Sequence, residues 1–145
     1  TRSVSAFLLN RSSDLRVAFL TGNTYPVEGR ETDGQHPNEH RIVGFDGDGN
    51  ELWDADLDGF VHGVATVGSR LVVPCAQNFR VRDPATHALR TFDLAGGETA
   101  THSFAGIPTA AAVDSDGVAT VTEPIVYHDE GEERGSYAVH VGSGR

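Results

Sequence analysis

The stretch Ile42-Val-Gly-Phe-Asp-Gly-Asp-Gly-Asn-Glu-Leu-Trp-Asp-Ala-Asp-Leu57 has the pattern of two β-strands joined by a tight turn. Its central Asp, Gly and Asn residues supply the positive φ angles and local hydrogen bonds that a hairpin needs. A similar line follows at Phe79-Arg-Val-Arg-Asp-Pro-Ala-Thr-His-Ala-Leu-Arg-Thr-Phe-Asp-Leu94, and a shorter one at Tyr137-Ala-Val-His-Val-Gly-Ser-Gly-Arg145. A recurring strand-turn-strand unit of about 40 residues predicts the blades of a β-propeller.

We align the first two copies so that Asp46 falls on Asp83 and Leu57 on Leu94. The predicted fold is then all-β: a β-propeller segment of about three four-stranded blades, of which the last is incomplete. Blade 1 covers about residues 1–58, blade 2 about 59–97 and blade 3 about 98–145, without its last strand. In blade 2 the predicted strands are 61–67, 70–75, 79–83 and 88–94. Because a ring closes with about four to eight blades, we expect further blades from a continuing chain or from other subunits.

The composition excludes several classes of partner. The chain carries 21 acidic residues against 11 basic ones, all of them arginine, for a formal net charge of −10. Such a chain, without a basic cluster, is not expected to bind nucleic acid or an anionic membrane surface. No apolar run has the length of a membrane span. The first residue is Thr1 and the chain contains no methionine, so we expect processing or excision and an extracytoplasmic location, periplasmic or secreted.

Two polar insertions interrupt the repeat at equivalent positions. Residues 23–40 lie between the second and third predicted strands of blade 1, and residues 127–135 occupy the same place in blade 3. Insertions at equivalent places of a repeat emerge on one face, which is often the binding face. We therefore expect these two loops to form the contact surface of a binding or assembly module.

The residues Val43, Phe45, Asp46, Gly49, Leu52, Trp53 and Leu57 form an apolar-Asp-turn-Leu-Trp pattern. This pattern resembles the repeat of quinoprotein-type (PQQ-like) β-propellers. The resemblance implies the propeller fold over nearly the whole chain. Dehydrogenases of this type use an aromatic floor, a calcium-binding acid and a catalytic Asp at the ring centre, and this segment offers no candidate for any of them. A fragment of a quinoprotein-like dehydrogenase is therefore an alternative that places the catalytic parts elsewhere.

A narrower resemblance is carried by His62-Gly-Val-Ala-Thr-Val-Gly, by Leu71-Val-Val-Pro-Cys75 and by Tyr137-Ala-Val-His140. These segments are similar to repeats of periplasmic zinc-metallochaperone propellers, which hold zinc with histidines near the face of the ring. The resemblance implies a zinc carrier as a further alternative function.

Five histidines are the candidate metal ligands. His62 is predicted to begin the innermost strand of blade 2, and His102 to precede the innermost strand of blade 3. Both can then face the central channel, where imidazole suits zinc. His36 and His40 lie in the first insertion beside Glu39, and His128 lies in the acidic second insertion. The alternative is that these histidine side chains only form hydrogen bonds with the backbone or with solvent. No cofactor is predicted from the sequence.

Two other motifs have structural interpretations. Asp54, Asp56 and Asp58 have the spacing that opens a calcium loop, but one face of a strand explains the same alternation. Cys75 ends the apolar run Leu71-Val-Val-Pro, so we expect a buried core residue rather than a nucleophile. The sequence contains no recognisable catalytic motif. The leading prediction is thus a non-enzymatic module that binds a protein partner, the remainder of its own propeller, or further copies of itself in a homo-oligomer.

Overall fold

The computed structural model describes residues 4–9, 15–22, 39–77 and 82–143. These residues form β-structure and one short 3-10 helix, Pro84–Thr86, and no α-helix. Within them no helix is long and apolar enough to cross a membrane. The strands are β1 Val4–Leu9, β2 Arg16–Thr21, β3 Arg41–Phe45, β4 Glu51–Asp56, β5 Phe60–Val61, β6 Ala65–Val67, β7 Arg70–Ala76, β8 Ala88–Asp93, β9 Gly97–Ser103, β10 Ile107–Val113, β11 Gly117–Glu123, β12 Ile125–Tyr127, β13 Glu132–Arg134 and β14 Ala138–Ser143.

The first sheet is an antiparallel meander with the strand order β1-β2-β3-β4. The sequence pattern predicts the strands of blade 1 at 4–9, 15–21, 41–46 and 51–57, and all four lie there to within one residue. The predicted turn between β3 and β4 is confirmed: Asp46 N–H donates to the Asn50 carbonyl at 3.0 Å, and the Asp46 carboxylate accepts from the N–H groups of Asp48 and Asn50. These bonds, led by those from Asn50, lower the pKa of Asp46. Gly49 supplies the positive φ, 85°.

The second sheet has the order β5-β7-β8-β9, with β6 also paired to β7. Its third strand is β8, which we expected to be the fourth, and β9 is the fourth strand. The predicted strand 79–83 is wrong where it is described, because Asp83 caps the 3-10 helix by accepting from Ala85 N–H at 2.9 Å. Residues 98–103 therefore pair within the second sheet, although the sequence division placed them in blade 3.

The first two sheets are related by a repeat, but the residues that correspond differ from those of the alignment made from the sequence. Gly44 pairs with Trp53 and Phe45 with Glu51, so one residue of β4 bulges. Thr91 pairs with Ala100 and Phe92 with Glu98, which puts the same bulge in β9. The structural counterpart of Asp46 is therefore Asp93 rather than Asp83, and both precede a glycine turn.

The third sheet contains β10, β11 and β14 in that order. Its first turn is closed by the Asp114 carboxylate, which accepts from the N–H groups of Asp116 and Gly117, both at 2.8 Å. The second insertion is a hairpin, β12–β13, between β11 and β14. The expectation of a third blade without a fourth strand agrees with this sheet. The fold is all-β, a propeller-like series of three consecutive antiparallel sheets.

The main core lies between the first two sheets. Because side chains alternate across a strand, Ala18, Leu20 and Ile42 point from the first sheet into this core. Leu71, Val73, Cys75 and Phe92 meet them from the second sheet. The opposite face of the second sheet packs on the third, where β10 lies against β7.

Candidate binding groove and open sheet edge

The interface between the first two sheets is filled by two aromatic rings. Trp53 of β4 stacks on Phe92 of β8 with ring centroids 5.6 Å apart and planes inclined by 10°. Its indole N–H donates to the Leu94 carbonyl at 2.9 Å. The Arg90 guanidinium lies 5.6 Å from the Phe92 ring, binds Glu98 through two hydrogen bonds and donates to the Asp56 carbonyl of the first sheet.

The interface between the second and third sheets holds an open groove of about 950 Å³. β4 and β9 contain the same bulge, and Trp53 and Ala100 each lie directly after it in the chain, so Ala100 is the counterpart of Trp53. Leu71 is the second residue of β7, the second main strand of its sheet, and it pairs with Phe92. Val118 is the second residue of β11, the second strand of the third sheet, and it pairs with Gly142. Gly142 of β14 is therefore the counterpart of Phe92. Ala100 and Gly142 both line the groove. The groove therefore exists because the aromatic pair of the first interface is replaced by an alanine and a glycine.

One wall of the groove is an aromatic row formed by His102, Phe104 and His140. The ring centroid of Phe104 lies 4.8 Å from that of His102 and 4.6 Å from that of His140. Nε2 of His140 lies 3.0 Å from the buried Thr122 hydroxyl, which fixes the orientation of the ring. Val72 and Leu89 supply apolar surface from the second sheet. This lining suits a flat apolar group held beside polar edges.

The other face of the third sheet is apolar and uncovered in the described part of the chain. Cross-strand pairing aligns two rows on it: Ala110, Val121 and Val139, and next to them Ala112, Ala119 and Val141. Val139 is 70% exposed and Val141 is 79% exposed. In the second sheet, the corresponding face is covered by the third. Contiguous exposed apolar patches occur at the interaction and ligand-binding surfaces of soluble proteins.

The edge of the third sheet is also open. β14 pairs with β11 on one side and with no strand among the described residues on the other. Such an edge presents unpaired N–H and C=O groups that another strand can pair with. Acidic side chains flank both of its ends: Asp114 and Asp116 lie in the β10–β11 turn, and Glu132 and Glu133 lie in the hairpin before β14.

The hairpin β12–β13 is anchored to the second sheet rather than projecting freely. The buried Tyr127 donates its hydroxyl hydrogen bond to the Gln77 amide oxygen, and Arg82 pairs with Asp129 at 2.7 Å. At its base Gly135 has a φ of 81°, and a Cβ there would overlap the backbone of Gly106. Only glycine fits this close approach, so the hairpin is held in a fixed place beside β14.

His62 and His102 are not brought together. His62 follows β5 at one edge of the second sheet, whereas His102 lies in β9 at the opposite edge. Three strand spacings of about 4.8 Å separate these edges, roughly 14 Å. His102 does precede β10, the first strand of the third sheet, but it lies in β9, the outermost strand of the second sheet. The pKa of His62 is lowered by partial desolvation, which the nearby Glu123 opposes.

The remaining predicted ligands are also dispersed. His40 is buried, with Nε2 3.3 Å from Oε1 of Glu39, and its carbonyl accepts from Leu57 N–H at 2.7 Å at the entrance to β3. His128 is exposed in the hairpin turn. His36, like the insertion 23–40 apart from Glu39 and His40, lies outside the described residues. Among the residues described, no three His, Cys, Asp or Glu side chains are grouped as metal ligands, so zinc binding stays a prediction.

His87 is a buried polar residue that the sequence reasoning missed. Its Nδ1 lies 3.4 Å from the Ala105 carbonyl, its own carbonyl accepts from Phe104 N–H, and its Nε2 has no hydrogen-bond partner among the described residues. Burial lowers the pKa of this imidazole, although the Ala105 carbonyl opposes the shift. In the sequence His87 lies within the supposed second copy and was not among the candidate histidines.

Cys75 and the Asp54, Asp56 and Asp58 motif lie in the structural settings that the sequence predicts for them. Cys75 is fully buried, and desolvation raises the pKa of its thiol to about 12. A thiol with this pKa is not a nucleophile at neutral pH. Asp54 and Asp56 are both exposed on β4, where Asp54 pairs with Arg41. The backbone N–H of Asp58 donates to the Asp56 carboxylate at 2.9 Å, closing the turn after the strand.

Comparison with known proteins yields a distant structural similarity. No family model matches the chain, and a search of curated proteins finds no match. The structure is similar to the crystal structure of HIRA(644-1017) with 14% sequence identity and a TM-score of 0.45. The similarity covers 93% of this chain and 40% of that one. The chain thus spans less than half the length of that structure, and the fold assignment rests on the sheets themselves.

Proposed function

We propose that this chain is a non-enzymatic β-propeller module for binding or assembly, and that it works through its third sheet. The observation that carries the proposal is the apolar face of that sheet, on which Val139 and Val141 are the most exposed valines. Among the described residues, the same sheet also has an open edge at β14. Since the two preceding sheets each bury one face against the next sheet, the third sheet is built to be covered by protein in the same way.

The occupant of this face is a protein surface: a further blade of a longer chain, a second copy, or another protein. The sequence analysis expected contacts through the insertions 23–40 and 127–135. The hairpin within 127–135 lies beside β14 and can extend the surface, whereas residues 23–38 lie outside the described part. Extracytoplasmic location and the PQQ-like repeat remain part of this proposal as sequence-based expectations.

The test is self-association of the full chain, measured by light scattering at increasing concentration and salt. An exposed apolar face promotes association, while a net charge of −10 opposes it at low ionic strength. Screening extends over about 10 Å at 0.1 M salt and about 3 Å at 1 M. We therefore expect association to rise with salt, and the double variant Val139→Asp/Val141→Asp to be monomeric throughout.

The matched control introduces two carboxylates at exposed positions of the second sheet, Ala95→Asp/Ser103→Asp. This control should associate as the native chain does at equal salt. Circular dichroism should show the same fold for all three proteins. Association that is identical in the native chain and in Val139→Asp/Val141→Asp would show that this face is not the binding surface.

The zinc-carrier and quinoprotein alternatives remain predictions without a supporting contact. Elemental analysis after mild purification tests the first. Zinc at close to one equivalent, lost in a His62→Ala or His102→Ala variant, would replace the present proposal with a metal carrier. A quinone absorbance or dye-linked alcohol oxidation would do the same for a dehydrogenase.

A further inference from the structure

We propose that His87 is an acid-sensitive switch. When its imidazole takes up a proton, residues 104–106, which connect β9 to β10, separate from the second sheet together with the β12–β13 hairpin, while the three sheets stay folded. The proposal does not depend on which partner covers the third sheet. Three observations carry it: the buried and unpaired Nε2 of His87, the contacts that join His87 to residues 104–106, and the short pairing of the hairpin.

The ring of His87 is held in one tautomer. The residue is fully buried, and its Nδ1 lies 3.4 Å from the Ala105 carbonyl oxygen. Because a carbonyl only accepts hydrogen bonds, Nδ1 carries the hydrogen and Nε2 keeps the lone pair. Nε2 has no hydrogen-bond partner among the described residues. A proton that binds to Nε2 would create a buried, charged N–H group without an acceptor, which is costly unless the group reaches water.

His87 contacts the connection between the second and third sheets. Its carbonyl accepts from Phe104 N–H at 2.8 Å, and its ring bonds to the Ala105 carbonyl. The next residue, Gly106, lies against the end of β11, where a Cβ would overlap the Glu123 carbonyl. Residues 104–106 are thus packed between His87 and the third sheet. Movement of the imidazole toward water therefore breaks the contacts that hold these residues on the second sheet.

The β12–β13 hairpin is the weakest element beside this connection. Its base is Gly135, where a Cβ would overlap the backbone of Gly106. Among the described residues its two strands pair only with each other, through three residue pairs. β8, by contrast, forms six residue pairs with each of its two neighbours. Since segments with few contacts open at a lower free energy than the whole chain unfolds, we expect protonation to open the hairpin and leave the sheets intact.

Charged groups from three elements face His87 and affect how readily it is protonated. Burial is the main cause of its lowered pKa, and Asp83, before the 3-10 helix, opposes this shift. Arg134 of β13 and His62 after β5 add to it. His62 in turn faces Glu123, and burial lowers its pKa as well. Because the folded-state pKa of His87 is lowered, the switch is closed above the ordinary pKa of histidine, near 6.5, and opens as the pH falls below it.

Hydrogen exchange of the full chain, measured by mass spectrometry at pH 7.5 and pH 5.5, tests the switch. Exchange rates are divided by those of unstructured peptides at the same pH. We expect the protection of residues 104–106 and 125–134 to fall toward acid, by at most about tenfold per pH unit below 6.5. The protection of residues 89–93 should not change. Protection of the hairpin that is equal at both pH values would overturn the proposal.

Tryptophan emission separates local opening from unfolding. Trp53 is the sole tryptophan of the chain and lies in the first interface, stacked on Phe92. Its emission should stay unchanged between pH 7.5 and pH 5.5. A change in emission at the same pH at which the hairpin loses protection would mean that the whole chain unfolds, and it would overturn a local switch.

Two histidine variants identify the group that takes up the proton. His87→Gln removes the protonation site and keeps an N–H donor for the Ala105 carbonyl, so its hairpin protection should be equal at both pH values. The matched control His62→Gln should keep the pH dependence of the native chain. A pH dependence that is lost in His62→Gln and kept in His87→Gln would assign the switch to His62 and overturn the proposal.

A charge variant tests the proposal even where His87→Gln does not fold. Asp83→Asn keeps the cap of the 3-10 helix, because asparagine caps about as well as aspartate, but it removes the negative charge near His87. Opening should then require a lower pH. The matched control is Asp93→Asn at the other end of β8, where the carboxylate likewise accepts from the N–H two residues on, at 2.8 Å; it should leave the opening pH unchanged. Equal opening pH in Asp83→Asn and the native chain would show that His87 does not take up the proton.

Discussion

The two interfaces between neighbouring sheets are built on one backbone pattern but differ in what fills them. The first carries Trp53 and Phe92 in contact, with a hydrogen bond from the indole to Leu94. The second has Ala100 and Gly142 at the corresponding places and a groove of about 950 Å³. The shared bulges of β4 and β9 show that the backbone does not cause the difference. Side-chain volume separates the closed interface from the one with an open groove.

The largest expected effect is the loss of the first interface in Trp53→Ala. Removing a large aromatic side chain from a packed interface lowers the free energy of unfolding by about 3 kcal/mol. Chemical denaturation measures it. The control is Leu52→Ala, because Leu52 is the neighbouring residue and is 41% exposed; it should cost less than about 1 kcal/mol. Equal losses for the two variants would mean that Trp53 does not hold the sheets together.

One substitution made at two glycines sharpens the comparison. In Gly44→Ala the new methyl group overlaps the Trp53 indole, so the ring must shift and the free energy of unfolding should fall by about 1–3 kcal/mol. In Gly142→Ala the methyl group has ordinary contact with Val118 at 3.6 Å, so stability should change by less than about 0.5 kcal/mol. Thermal or urea unfolding of the two variants measures both changes in stability. A large loss at Gly142 would show that the groove is already filled.

The second sheet should also be sensitive to acid, because His87 is buried at the start of β8 against Phe104 and Ala105, which lead into the third sheet. The folded-state pKa of this histidine is lowered by burial, so the unfolded chain binds the proton more readily. The neutral imidazole of His87 contributes its full share of the free energy of unfolding above the pKa of histidine in the unfolded chain, near 6.5. As the pH falls below that value, this contribution is lost by at most about 1.4 kcal/mol per pH unit.

Urea denaturation between pH 7.5 and pH 5 measures this loss of stability. His87→Gln should reduce the pH dependence, and His62, whose pKa is also lowered by burial, accounts for a part that remains. The control His128→Gln, at an exposed position, should leave it unchanged. A pH dependence that is the same in His87→Gln as in the native chain would assign it to another group.

The smallest expected effect is a gain. Ala100→Trp should fill part of the groove and raise the free energy of unfolding by about 0.5–2 kcal/mol, as cavity-filling substitutions do. Ala95→Trp, in an exposed turn, should change it by less than about 0.5 kcal/mol. Denaturation midpoints of both variants provide the measurement. Destabilisation by Ala100→Trp alone would show that the groove cannot hold an indole ring.

Turn chemistry explains most of what could be predicted. Asp46 and Asp114 each bind the N–H groups that follow them, so the turns that they begin are set by local sequence. The strands of the first sheet and the three-stranded form of the third were predicted for the same reason. The second sheet was misread because Asp83 and Asp93 both follow an apolar strand-like run and both begin a turn of Asp, Gly or Pro residues.

The candidate site was less predictable than the fold. His62 and His102 were grouped because His62 was expected to begin an innermost strand and His102 to precede one, and strand order separates them. Ala100, Gly142 and His87 carry no local signal of function, because a small residue or a histidine in a strand is ordinary until its neighbours are known. The one available signal was the correspondence of Phe45 with Phe92, which the chosen alignment did not use.

The sequence by itself determined the all-β class, the hairpin turns, the acidic surface and the buried character of Cys75, because these depend on composition and on contacts between close neighbours in the chain. Only the tertiary structure decided the register of the repeat, the groove between β9 and β14 and the exposed face of the third sheet. These depend on which strands pair and on which side chains meet across two sheets. Residues such as Trp53 and Leu94, which are distant in sequence, meet only when the sheets pack.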